Sequence, residues 1–186
     1  MNFIETYKID SKVCDDLIHY FNDNVEYKTE GMIGSNKVDK NIKDSMDVNF
    51  FNSSNDYRIK NFFSAIQPCI IDYVERYNIR YAVKTYLANN IQYYKPKGGY
   101  RELHYERDPG INSSRRVVVY MLYLNDVKDG GTYFPFQNIT TQAVKGDLIL
   151  WPADFTHPHR GVISDTQEKY ICTGWFEYVP SLIPPS

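Results

Sequence analysis

Residues 116–124 read Arg116-Val117-Val118-Val119-Tyr120-Met121-Leu122-Tyr123-Leu124 and hold the longest apolar run of the chain. A membrane-spanning helix needs ~20 apolar residues, so this run is strand-sized. Its Val and Tyr content suits a strand, because β-branched and aromatic side chains pack well on a pleated surface. Residues 87–94, 141–151 and 169–178 share that composition. Turn signals separate these segments, most clearly Asp129-Gly130-Gly131 and Lys145-Gly146-Asp147. No βαβ rhythm occurs in this half, so parallel pairing is excluded. The pattern predicts an α+β, mainly β domain: an antiparallel sandwich or small barrel with helices packed outside.

The first 80 residues supply those helices. Asp10 or Ser11 can cap a helix reaching about residue 21, with Val13, Leu17 and Phe21 on one face. A longer helix is predicted over 56–77, where Ile59, Phe62, Phe63, Ile66, Ile70, Tyr73, Val74 and Tyr77 keep helical spacing. Pro68 inside it predicts a kink. Residues 28–56 are polar and read as loop, broken by a short strand at 46–50. A loop that long inside a compact domain points to function, so it is expected at the mouth of a site, ordering with substrate. The expected organisation is a single domain over 1–186: helical support and loop to residue 80, a β core over 81–179, and a proline-rich tail over 180–186.

A chain of 186 residues with 42% hydrophobic residues is large enough for one domain with a sizeable core. A net charge of −2 argues against a broad nucleic-acid or anionic-membrane surface. The opening MNFIETYKID turns polar and acidic at once, so no signal peptide is expected. Cys14, Cys69 and Cys172 stand far apart, with no C-x-x-C, which excludes a disulfide scaffold and a cysteine-rich zinc site. A cytoplasmic location is the expectation.

The chain has four histidines, and three of them are placed informatively. On a strand, residues i and i+2 share a face, so His104-Tyr105-Glu106 aims an imidazole and a carboxylate at one point. His157-Pro158-His159 follows the strand-like 148–151 and can return a second imidazole. Two histidines and one carboxylate leave open positions and suit non-haem Fe(II). Lys169 lies ten residues past His159, at the start of the last strand, and shares a face with Ile171, Thr173 and Trp175. A buried ammonium there needs an anionic partner, which the carboxylate of a bound cosubstrate would supply.

At this point residues 91–177 resemble the Fe(II)- and 2-oxoglutarate-dependent dioxygenases, in their prolyl 4-hydroxylase-like branch. The matching segments are Ile91-Gln92-Tyr93-Tyr94, Gly98-Gly99-Tyr100, His104-Tyr105-Glu106 and Tyr123-Leu124-Asn125-Asp126. They continue with Gly130-Gly131-Thr132-Tyr133-Phe134-Pro135, Lys145-Gly146-Asp147-Leu148, His159-Arg160-Gly161, Lys169-Tyr170 and Thr173-Gly174-Trp175. The resemblance implies a double-stranded β-helix, the jelly roll also found in cupins. It implies Fe(II) on His104, Glu106 and His159, with Glu106 standing where the family usually has Asp. It further implies 2-oxoglutarate anchored by Lys169, with Tyr94 (or its neighbour Tyr93) and Thr173 as hydrogen-bond donors, and O2 as co-reactant. Ascorbate is an accessory reductant in this picture. His157 would stand behind the metal, and Arg115, Arg116, Arg160 and Trp175 lie near the cavity by sequence.

The expected activity is hydroxylation of a prolyl residue in a peptide or protein, with release of succinate and CO2. Relatives in the fold class also hydroxylate free amino acids and other small molecules. The alternative from another class is a non-catalytic jelly roll that binds a ligand or partner, for which neither the triad nor Lys169 is needed. A zinc hydrolase on His104, Glu106, His157 and His159 is the third reading, but four protein ligands would close the site. No nucleic-acid or membrane partner is expected.

Overall fold

The run at 116–124 forms the strand Arg116–Tyr123, and both faces of that strand are covered. Val118, Tyr120 and Leu122 enter one hydrophobic core, while Val119, Met121 and Tyr123 enter another. An antiparallel strand with one wet face would alternate apolar and polar residues; burial on both faces demands a continuous run instead. The structure is a computed structural model and describes residues 1–34 and 37–180. Residues 181–186 of the predicted tail lie outside the described residues.

The large sheet has eight strands. Its order is Glu5–Lys8, Asp147–Pro152, Arg116–Tyr123, Lys169–Tyr178, Ala88–Tyr94, Met46–Phe51 and Lys28–Glu30, with Val83–Thr85 also paired to Lys169–Tyr178. All of these pairings are antiparallel. Two helices, α1 (Ser11–Asp23) and α2 (Tyr57–Arg76), cover one face. Each starts where an aspartate accepts a backbone N–H: Asp10 from Lys12 and Asp56 from Arg58, both at 2.8 Å. Cys14, Leu17 and Phe21 of α1 and Ile59, Phe62, Ile66, Ile70 and Tyr73 of α2 meet Val118, Tyr120, Leu122, Leu148 and Cys172 of the sheet in the first core. Pro68 lies within α2, which is continuous across it.

The other face packs on a small sheet of Ile139–Thr140, Thr132–Phe134 and Arg160–Gly161. A single antiparallel bridge between His104 and His159 adjoins it. From residue 88 onward the chain winds between the two layers: large (88–94), small (104), large (116–123), small (132–140), large (147–152), small (159–161) and large (169–178). That winding is a double-stranded β-helix. It makes residues 104 and 159 direct neighbours, although 55 positions separate them in the chain.

Three expectations are corrected. Residues 28–56 are not a long loop. The strand expected at 46–50 is present as Met46–Phe51, but Lys28–Glu30 also joins the large sheet beside it, Met32–Ile33 pairs with Lys37–Val38, and Lys43–Asp44 pairs with Gly99–Tyr100. The strands that were not expected are two or three residues long and lie at a sheet edge or in two-stranded pairs, where the apolar signal is weak. With Glu5–Lys8, they mean that three of the eight strands come from the first 80 residues, so the predicted division at residue 80 does not separate helix from sheet. Finally, the predicted strand over 141–151 begins only at Asp147. Gly146 breaks it with φ of +86°, and a Cβ there would come within 2.5 Å of the Ile9 carbonyl.

Candidate active site

His104, Glu106 and His159 come together between the sheets. One ligand atom from each lies within 4.8 Å of the others. The two histidines exchange backbone hydrogen bonds, His104 N–H to the His159 carbonyl at 3.1 Å and the reverse at 2.9 Å. Each ring is then oriented by its Nδ1–H, which donates to a backbone carbonyl: Glu102 at 3.0 Å for His104 and His157 at 3.1 Å for His159. Those bonds fix the tautomer and leave both Nε2 lone pairs free. Each Nε2 lies 3.5 Å from Glu106 Oε1.

The surroundings hold these groups still. Tyr100 stacks on His104 at 3.8 Å between centroids. Trp151 stands edge-on to His159 at 4.9 Å, and Phe134 lies 5.6 Å from it. The far carboxylate oxygen of Glu106, Oε2, accepts from the Trp175 indole N–H at 3.1 Å and faces Arg116 at 3.5 Å. The Arg116 guanidinium also lies 3.7 Å over the Trp175 ring and donates to the Glu106 carbonyl at 2.9 Å. Burial pushes His159 below the ordinary imidazole range, which favours the neutral form a metal requires. Burial alone would raise Glu106, but the nearby His104 and His159 rings, whose Nε2 atoms face Oε1, outweigh it and hold the carboxyl well below the usual carboxylate range.

Lys169 occupies the same inter-sheet space. It is buried, and its ammonium donates to the carbonyls of Gly130 at 3.0 Å and Val162 at 2.8 Å. Among the described residues it has no ion-pair partner. Burial lowers it to about 8. Close approach of the 130–131 turn depends on small residues: a Cβ on Gly131 would fall 1.8 Å from the Thr141 carbonyl.

Tyr94 is the cross-strand partner of Lys169 and lies in the second core, its ring 5.4 Å from the ammonium and its hydroxyl on Gln92. Tyr93 points the other way, into the helical core against Phe21 and Tyr170, so strand parity decides between the two tyrosines. Thr173 lies on the strand face expected of it, with its hydroxyl donating to the Tyr120 carbonyl at 3.1 Å.

Other residues near the cavity by sequence are redistributed. Arg116 and Trp175 hold Glu106. Arg115 instead pairs with Glu177 at 3.2 Å. Arg160 is exposed, over the Tyr133 ring on the small sheet. The His157 ring does not face the metal position; it binds the Asn2 carbonyl at 2.8 Å, and only its backbone carbonyl reaches His159. That removes the fourth ligand which a zinc reading needs.

This arrangement fits Fe(II): two oriented imidazoles whose Nε2 atoms face one anchored carboxylate, with no fourth side chain among the described residues to close the site. The family model described as the 2OG-Fe(II) oxygenase superfamily matches residues 89–177, which span all three of these residues and Lys169. Over those 89 of its 186 residues the chain matches the 2OG-Fe(II) oxygenase superfamily. Fe(II), 2-oxoglutarate and O2 are the reactants of this family.

Solved structures similar to this oxygenase include a viral collagen prolyl hydroxylase from Paramecium Bursaria Chlorella virus-1 in its 2OG complex. It is 18% identical, with a TM-score of 0.69 over 96% of this chain and 97% of that one. A Pseudomonas putida prolyl-4-hydroxylase is 15% identical, with a TM-score of 0.72 over 97% and 95%. A Trichoplax adhaerens prolyl hydroxylase, solved with a hypoxia inducible factor peptide fragment, is 15% identical, with a TM-score of 0.72 over 96% and 84%. At these identities the likeness establishes the fold. No curated protein sequence matches this oxygenase.

Two substitutions test the support of Glu106. Trp175→Phe removes the indole donor but keeps the ring; metal affinity of this oxygenase should fall ~10–100-fold, the usual cost of losing such a partner. Glu106→Asp draws the carboxylate back by one methylene, so it cannot keep both the indole and the two imidazoles. Isothermal titration with Co(II) should place it between wild type and Glu106→Ala, with residual turnover.

Proposed function

We propose that this oxygenase hydroxylates a prolyl residue in a peptide or protein substrate. Its chemistry rests on one observation: an anchored two-histidine, one-carboxylate set shares its cavity with a buried ammonium that has no carboxylate partner among the described residues. His104, Glu106 and His159 would hold Fe(II). Lys169 would bind the far carboxylate of 2-oxoglutarate by charge-assisted hydrogen bonding, with Tyr94 beside it. The hydroxyl proton of Thr173 is committed to Tyr120, which leaves Thr173 a wall of the cavity rather than a donor. Bound iron and 2-oxoglutarate supply the oxidising chemistry, with succinate and CO2 as co-products. The protein orients the ligands, neutralises the cosubstrate and excludes water with Val119, Met121, Ile149, Trp151 and Ile171.

The prolyl substrate is supported by the full-length likeness to three prolyl hydroxylase structures, one of them holding a peptide. Three free, buried cysteines are in keeping with a reducing, cytoplasmic setting. The test is succinate release with proline-containing peptides, read together with a mass gain of one oxygen on the peptide. Stoichiometric oxidation of a free amino acid, with every prolyl peptide left unmodified, would refute the substrate assignment and leave the oxygenase standing.

A further inference from the structure

Residues 2–8 make a set of contacts that converge on the segment carrying the distal histidine. His157 is buried, and both of its ring nitrogens are engaged, Nε2 with the Asn2 carbonyl at 2.8 Å and Nδ1 with Thr156 Oγ1 at 2.9 Å. A carbonyl only accepts, so Nε2 carries the proton and Nδ1 accepts from the threonine. The Phe3 ring stands edge-on to His157 at 6.3 Å and packs on Tyr77 at 5.0 Å. Phe3 has φ of 60°, a conformation disfavoured for a residue with a Cβ. Its carbonyl accepts from the Tyr73 hydroxyl at 2.7 Å, and Glu5 accepts from the Tyr77 hydroxyl at 2.5 Å. Two tyrosines of the α2 end thus hold this segment in an unfavourable conformation. The strand Glu5–Lys8 then pairs with Asp147–Pro152, whose Trp151 stands against the His159 ring.

The backbone carbonyl of His157 is the group that accepts the Nδ1–H of His159. We infer that residues 2–5 and His157 form a buttress for the metal centre. The Asn2 carbonyl fixes the His157 ring, and the fixed residue presents its own carbonyl to His159, which holds the His159 Nε2 toward the metal position. His157 is therefore a positioning residue and not a ligand. This inference rests on His159 being a metal ligand, as proposed above.

Co(II) binding, followed by its visible absorption, tests both and separates them. Wild type should bind one Co(II) per chain and His159→Ala none; absence of binding in wild type would defeat the metal-site reading itself. Given wild-type binding, His157→Ala and a variant with residues 1–4 replaced by a single Met should each bind Co(II) ~10–100-fold more weakly. The two changes combined should cost no more than one, since they break the same connection. His157→Gln, whose side-chain N–H2 can still donate to the Asn2 carbonyl, should recover most of the affinity. A lowered melting temperature with unchanged Co(II) affinity in the folded protein would mean a structural role alone and would overturn the buttress. If His157→Ala does not fold, the shortened variant and His157→Gln decide by the same criterion: wild-type affinity in the former, or no recovery in the latter, refutes it.

Discussion

His104→Ala and His159→Ala should each abolish turnover while leaving the protein folded. Each substitution removes one of the three side chains that, among the described residues, would hold the metal, and the neighbouring His157 ring cannot replace it because it is tied to Asn2. The loss of metal affinity should therefore exceed the ~100-fold that removal of a supporting partner costs. The fold should survive because the backbone bridge between residues 104 and 159 does not depend on the imidazoles. Metal analysis after dialysis against Fe(II), with circular dichroism for the fold, gives the answer. Full activity in His159→Ala together with none in His157→Ala would reverse the choice of distal ligand.

Lys169→Ala should leave metal binding intact and weaken 2-oxoglutarate binding by one to three orders of magnitude. Truncating one partner of a buried charge pair costs ~2–5 kcal/mol, at about 1.4 kcal/mol per decade. The cost is high here because, among the described residues, the ammonium rests on the Gly130 and Val162 carbonyls with no carboxylate to take over the pairing. Titration of 2-oxoglutarate into the Co(II)-loaded protein measures it, and wild-type affinity in Lys169→Ala would remove Lys169 from the cosubstrate site.

The same residue sets a pH dependence. Burial lowers Lys169 from the ordinary lysine range to about 8, so the free enzyme loses this positive charge as pH rises through that value. Affinity for 2-oxoglutarate should then hold steady below about pH 8 and fall toward ~10-fold per pH unit above it, since binding requires the protonated form. In Lys169→Ala that decline should vanish. An equal decline in both proteins would assign it to another group.

The helices, most of the strands from residue 88 onward and the residue types of the candidate metal site were legible from local pattern. Helical spacing in 56–77, the apolar run at 116–124 and the period-two placement of Lys169, Ile171 and Thr173 are written into neighbouring residues. The edge strands Glu5–Lys8 and Lys28–Glu30 were not, because a strand of three or four residues with a wet face carries almost no apolar signal. What holds the site together was also hidden. The carbonyls of Glu102, His157, Gly130 and Val162 are backbone groups that every residue possesses, and no residue type marks where they point. Trp175 and Arg116 were near the cavity by sequence, yet their convergence on Glu106 depends on the pairing of two strands 50 to 60 residues apart. The chain alone determined which side chains could bind iron and cosubstrate, since ligand chemistry belongs to residue types. The tertiary structure decided which of His157 and His159, and which of Tyr93 and Tyr94, faces the cavity, because direction is set by strand parity and by partners distant in sequence.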